Sequence, residues 1–272
     1  MARRRRTTAS EPLVRLEKEG RGLARILLNR PKKLNALSLE MMEQFGRCLD
    51  AIQYDDEISV VIITGEGKAF SVGADLEFLH GLGAPEDFRK ALFQYWHRHF
   101  DAIENMEKLF VAALNGTTLG GALEMALVCD LRIAAEGIKL AMPQIKYGLL
   151  PDSGGTNRLA KLIGRSATKE LILSGELIDS QEALRIGLVD RVLPAQDFLN
   201  HAYRYVEKFL GKSSSAIGLG KLAVNRGEEL SSKDGLVDAA LFQSILLNSD
   251  PYKRAIKHFE RKRDGDDSKN QD

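Results

Sequence analysis

Apolar and polar positions along this chain fall into alternating extended and helical rhythms. From Val14 to Asn29 they alternate and include the run Ala24-Arg25-Ile26-Leu27-Leu28, with Gly20 and Gly22 between the two halves, which predicts a strand hairpin. After Pro31, Lys32 and Lys33, Ser38 precedes apolar positions at Leu39, Met42, Phe45, Leu49 and Ile52, the spacing of a helix behind a capping serine. Val60-Val61-Ile62-Ile63-Thr64 is β-branched and continuously apolar, as in a strand buried on both faces, and ends at Gly65-Glu66-Gly67. Phe88, Leu92, Trp96, Phe100 and Ile103 recur every three or four residues and predict another helix. Residues 109–114 and 131–135 read as further strands, with an apolar helix over 122–128 between them, whereas 69–76 shows no clear period and reads as a loop.

Strand, loop, helix and strand in repetition predict an α/β fold with crossover connections, whose ligands sit at the carboxyl ends of the strands. Two glycine-bearing loops lie at such ends. From Pro151 onward the rhythm turns helical, over 156–163, 167–173, 180–186 and 197–210, so the C-terminal third is expected to be wholly α. Beyond about His258 almost no apolar residues remain, which predicts a mobile end.

Composition narrows the function more than the fold. The 272 residues carry 39 Lys and Arg against 38 Asp and Glu, a net charge of +1 that provides no overall field toward nucleic acid or an acidic membrane. Aromatic content is 7%, too sparse for a nucleic-acid stacking platform. The two cysteines, Cys48 and Cys129, lack metal-ligand spacing and read as reduced core thiols. No apolar run reaches the ~20 residues of a membrane span, and the start MARRRRTTAS has no secretory apolar stretch. A cytoplasmic location is the default expectation, or the mitochondrial matrix if the Arg3–Arg6 run opens a transit peptide.

Candidate chemistry concentrates in the two glycine loops. In Leu119-Gly120-Gly121-Ala122-Leu123-Glu124, glycines admit a ligand to the backbone at a helix start whose N–H groups are unpaired. Glu124 follows in the first turn, a carboxylate in an otherwise apolar helix and thus a candidate general base. A strand-to-helix turn with a dipole-stabilised acid is the plain alternative. In Ser71-Val72-Gly73-Ala74-Asp75-Leu76, Ala74 could supply a second backbone donor beside Gly121, the two forming an oxyanion hole, while Asp75 could simply cap the next helix.

Five segments, RPKKLNAL, KAFSVGADL, LGGALEMALVCD, PQIKYGLLPDSGGTNRLAKLIG and ALRIGLVDRV, resemble in order the signatures of the enoyl-CoA hydratase/isomerase (crotonase) superfamily across roughly residues 12–265. The resemblance implies a crotonase-like α/β spiral of ββα units. While composition leaves disordered tails over 1–11 and 266–272 as the expectation, the resemblance implies a core over 12–200 and a helical oligomerisation region over 201–265 that builds trimers or hexamers. It implies an acyl-CoA thioester held with its carbonyl oxygen between the N–H groups of Ala74 and Gly121, with coenzyme A part of the substrate and no metal or redox cofactor. Contacts to the ester are implied for Lys32 and Lys33, for Asp75, Leu76 and Glu77 near the adenine, for Gly120 and Gln144 near the reacting group, and for Phe259, Arg261 and Lys262 at the C-terminal end.

Two positions depart from the hydratase pattern. Gln144 follows Pro143 where hydratases carry a second glutamate, and an amide neither takes nor gives a proton near neutral pH. Asp152 replaces a glycine, giving a PDSGG segment that looks like the variant of some crotonase-type isomerases; Asp152 or Ser153 could otherwise cap the following helix. The readings rank as a double-bond isomerase with Glu124 or Asp152 as base, then a hydratase, then a non-catalytic CoA- or RNA-binding relative. Dehalogenase or hydrolase chemistry is a minor option; dehalogenation requires a histidine base, and His80, His97 and His99 are present in the chain. Acyl-chain selection falls to 78–100, including Phe88, Phe93, Tyr95 and Trp96, whose aim the sequence does not reveal.

Overall fold

The computed structural model of the chain describes residues 11–81 and 83–267, with the side chains of 262–267 left undescribed. The chain opens with the hairpin β1 (Val14–Gly20) and β2 (Leu23–Leu28), antiparallel and in register from Val14 opposite Leu28. Helix α1 (Leu39–Gln53) begins where the Ser38 hydroxyl accepts the Met41 N–H at 3.3 Å. It buries Met41, Met42, Phe45, Leu49 and Ile52 along one stripe. Then follow β3 (Val60–Gly65), β4 (Ala69–Ser71) and α2 (Leu76–His80). Helix α3 (Pro85–Ala91) continues through a π-helical turn, Leu92–His97, into α4 (Arg98–Asn105).

The strand, strand, helix order repeats as β5 (Leu109–Leu114), β6 (Thr117–Leu119) and α5 (Gly121–Leu127), then as β7 (Leu131–Ala135), β8 (Lys139–Ala141) and α6 (Gly155–Ser174). Strand β9 (Ile178–Asp179), α7 (Ser180–Arg185), β10 (Arg191–Leu193) and α8 (Phe198–Val206) complete the core. The remainder is α9 (Ser214–Gly227), α10 (Ser232–Leu247) and α11 (Asp250–Asp267).

After the β1–β2 hairpin, the first strand of the pairs β3/β4, β5/β6 and β7/β8 joins one sheet and the second joins another. One sheet runs β1-β2-β3-β5-β7-β10, parallel from β2 onward; the other runs β4-β6-β8-β9. Each ββα unit therefore advances the chain one step along both sheets at once, which is a spiral. Strands β3 and β5 are buried along their whole length, as a parallel sheet covered on both faces requires. One face packs on α1, α4, α5 and α6 through residues such as Phe45, Phe100 and Leu159; the other packs on α8 through Phe198, Ala202 and Val206.

Several expectations need correction. The C-terminal third is not wholly α: β9 and β10 lie in it, too short at two and three residues to show a period. The 69–76 stretch begins with strand β4, which pairs with β6. The segment beyond His258 is helical as far as it is described, for α11 continues to Asp267. Its Lys, Arg and Glu residues are good helix formers, and a solvated helix needs no buried face to satisfy its backbone. The two helices expected over 156–163 and 167–173 are both present, on either side of the non-helical Gly164 (φ 78°, ψ 163°), as the parts of α6. Neither Asp152 nor Ser153 caps it, since Gly154 is the N-cap and no side chain of that residue takes the role. The arginines at 3–6 lie outside the described residues.

Candidate active site

A cavity of about 1340 Å³ opens where the carboxyl ends of β4 and β6 meet the starts of α2 and α5. Both glycine loops line it, together with Gln144 and Asp152. Gly73 (φ 87°) is what lets the loops approach, because a Cβ there would sit 2.6 Å from the Leu119 carbonyl oxygen and 3.1 Å from the Gly121 nitrogen. Leu37 pins the first loop by donating to the Gly73 carbonyl at 2.8 Å and accepting from the Asp75 N–H at 3.0 Å. Between them the Ala74 N–H finds no acceptor among the described residues. Gly121 is the first residue of α5, where a helix leaves its N–H groups unpaired. A Cβ on Gly121 would lie 3.7 Å from the Ala74 nitrogen, so the two donors share one small volume.

Glu124, one turn into α5, is 2% exposed. Its Oε1 accepts the N–H groups of Ser153 at 2.7 Å and Gly155 at 2.9 Å, and its Oε2 accepts the Gln144 side-chain amide at 3.3 Å. The carboxylate thus serves the start of α6, whose own cap has no side chain. Burial pushes the Glu124 carboxyl up to about 7; the nearby Asp152 charge pushes the same way, against the two backbone bonds and Arg158. A group balanced near neutrality both takes and returns protons. Asp152 is open to the cavity but surrounded by protein, which raises its carboxyl above the usual carboxylate range, against its hydrogen bonds and His97.

A thioester oxygen fits this arrangement, with two backbone donors for its developing charge and an acid of near-neutral affinity beside them. Known proteins point the same way: the enoyl-CoA hydratase/isomerase family matches residues 18–267. The chain belongs to that family. Among its relatives, a short-chain-enoyl-CoA hydratase of Clostridium acetobutylicum is 34% identical over 91% of this chain and 94% of its own. A crotonyl-CoA hydratase of Syntrophomonas wolfei is 38% identical over 78% and 81%. The crystal structure of an enoyl-CoA hydratase from Bacillus anthracis superposes with a TM-score of 0.87 at 32% identity, covering 92% of this chain and 96% of that one.

Other expected site residues of this hydratase/isomerase family member scatter. Gly120 (φ 53°) faces the Gln144 amide, with a notional Cβ 3.4 Å from its nitrogen. Leu76 and Glu77 line the cavity. Asp75 lines it too, but its carboxylate pairs with Arg30 and accepts the Glu77 N–H at 2.9 Å, which holds it below the usual carboxylate range against the cost of burial. Lys33 lines the cavity, 2.9 Å from Glu77, whereas Lys32 does not. Phe259 is 67% exposed on α11 and lines no part of the cavity within this chain. The Lys262 side chain lies outside the described residues. Of the aromatic candidates, Phe88 and Trp96 face the cavity and Phe93 and Tyr95 do not.

Sequence reasoning left His97 unplaced and did not single out Arg158. His97, on the π-helical turn, donates from Nε2 to the Asp152 carbonyl oxygen at 3.0 Å. His80 lines the cavity, while His99 packs edge-on against Phe45. The π-turn itself, a rare form often found at functional sites, left no signal because its apolar spacing matches that of an α-helix.

Proposed function

We propose that this enzyme shifts the double bond of an enoyl-CoA thioester. The ester carbonyl oxygen would sit between the N–H groups of Ala74 and Gly121, and Glu124 would take a proton from C2 and return it at C4, passing through a dienolate. One observation carries this reading: a single buried carboxyl balanced near pH 7 stands beside the paired donors, and its neighbour at the expected second-acid position is the amide of Gln144. One base that removes and redelivers the same proton suffices for isomerisation. The reaction as written needs no group beyond the coenzyme A ester. Lys33, Leu76 and Glu77 are proposed to border the coenzyme, and Phe88 and Trp96 the acyl chain.

Hydration is the second reading, favoured by the names of the relatives. Asp152, open to the same cavity as Glu124, would then have to supply the second carboxylate that Gln144 does not. We further propose a homotrimer or homohexamer, built on the exposed apolar residues of α10 and α11.

The test compares trans-3-hexenoyl-CoA with trans-2-hexenoyl-CoA for the wild type, Glu124→Gln and Asp152→Asn. Conversion of the 3-enoyl ester, with Glu124→Gln reduced by at least about 100-fold, is the expected outcome. Water addition to the 2-enoyl ester without double-bond migration would overturn the isomerase reading.

A further inference from the structure

We propose that Arg158 is the positioning residue for the Glu124 carboxylate, and that Glu104 in turn fixes Arg158. The inference rests on the reading that Glu124 moves the proton. The turn Ser153-Gly154-Gly155 is gripped from both sides. From inside, its Ser153 and Gly155 N–H groups hold Glu124 Oε1. From outside, Arg158 Nη1 donates to the Ser153 carbonyl oxygen at 3.0 Å. A Cβ on Gly154 would lie 1.9 Å from that Nη1, so the guanidinium lies flush against the turn. Arg158 does not line the cavity, and its hydrogen bonds reach Glu124 only through this peptide segment.

The guanidinium is itself anchored. Its Nε and Nη2 donate to the two oxygens of Glu104 at 2.7 and 2.6 Å, a bidentate pairing that fixes the plane of the group as well as its distance. Asp101, one turn earlier on α4, lies 3.6 Å from Nη2. Helix α9 braces α4 from behind, where Lys221 Nζ donates to the Ile103 carbonyl at 2.6 Å and Asn225 to that of Glu104 at 3.1 Å. A continuous line of directional bonds thus runs from the C-terminal helices through Glu104, Arg158 and the 153–155 turn to the carboxylate. Charges acting on Glu124 come from two places. Asp152 opposes its ionisation and Arg158 favours it, while α5 carries no other charged residue and Gln144 is neutral.

Steady-state kinetics of Arg158→Gln, Arg158→Lys and Glu104→Gln on both hexenoyl-CoA esters, from about pH 5 to about pH 9, test the proposal. Arg158→Gln should lower kcat roughly 10- to 100-fold with KM within about twofold, because a base displaced by a fraction of an ångström loses reactive alignment. Its rising pH limb should move upward, since a cation that favoured the carboxylate is gone. Arg158→Lys should restore the limb but not kcat, as an ammonium cannot make the fork. Glu104→Gln should act as a weaker Arg158→Gln, and it carries the test if the latter does not fold.

A folded Arg158→Gln enzyme with wild-type kcat and pH profile would overturn the proposal, and so would a loss confined to KM. Glu124→Gln, run in parallel, separates the two readings. If it retains full activity, the proton-transfer reading itself fails; if it is inactive while the Arg158 variants are unchanged, only the positioning inference fails.

Discussion

At the scale of single residues, Glu124 stores a conflict between stability and function. Its carboxyl is pushed from 4.5 in the unfolded chain to about 7 in the folded one, chiefly by burial. Below the unfolded value it is neutral in both states and burial costs no charge. As pH rises from there to about 7, the unfolded chain ionises first, and the folded state loses on the order of 3 kcal/mol. Glu124→Gln keeps an oxygen for the Ser153 and Gly155 N–H groups and removes the charge. We expect it to abolish turnover yet to unfold at a higher urea concentration than the wild type at pH ~8, with the difference shrinking toward pH ~5. Equal urea midpoints at both pH values would contradict the raised carboxyl. The cysteines show burial without function: it raises Cys48 to about 11 and Cys129 to about 12, so neither is a thiolate near neutrality.

Among elements, α9 matters more than its partly exposed surface suggests. Lys221, with a side chain 4% exposed, pairs with Asp130 at 3.1 Å, and Asp130 also accepts the Phe110 N–H at the start of β5. One buried cation therefore ties α9 to α4, to the main sheet and to the turn after α5. Removing it strands a desolvated carboxylate, so Lys221→Ala should lose about 3–5 kcal/mol in chemical denaturation. The double variant Lys221→Met with Asp130→Asn should recover part of that loss, because no unpaired charge remains. A single variant as stable as the wild type would show the pair to be dispensable. The π-turn is a second decisive element, since it carries both Trp96, 4% exposed and stacked on Phe78 at 5.3 Å, and His97 to the cavity's edge.

For the whole molecule, the surface of α10 is the outstanding feature. Leu236, Val237, Leu241 and Ile245 are each more than half exposed, although α10 is apolar enough to be a core helix. A run of this kind left to water is costly, which is the basis for proposing that it is covered by other copies of the chain. We expect light scattering to give three or six times the 30.2 kDa chain mass, and Leu241→Glu with Ile245→Glu to give 30.2 kDa. A wild-type protein of single-chain mass would remove the basis for the proposed trimer. No helix among the described residues is long and apolar enough to cross a membrane.

What the sequence determined by itself was whatever is written locally. The burial of β3 and β5, the capped stripe of α1 and the acid in the apolar α5 could all be read from residue type and period, because each element's own side chains decide its buried face. The ordered motifs likewise placed Ala74, Gly121 and Glu124 as candidates before any geometry. The tertiary structure alone decided how two sheets share each ββα unit, since strands of two or three residues such as β9 and β10 owe their existence to neighbours distant in the chain. It alone turned Asp75 toward Arg30, brought His97 to Asp152, and set Arg158 against the turn that holds Glu124. These contacts span 45, 55 and 5 residues, and even the shortest depends on Glu104 across the fold, 54 residues away. Side-chain direction at that range is fixed by packing, not by the local pattern of the chain.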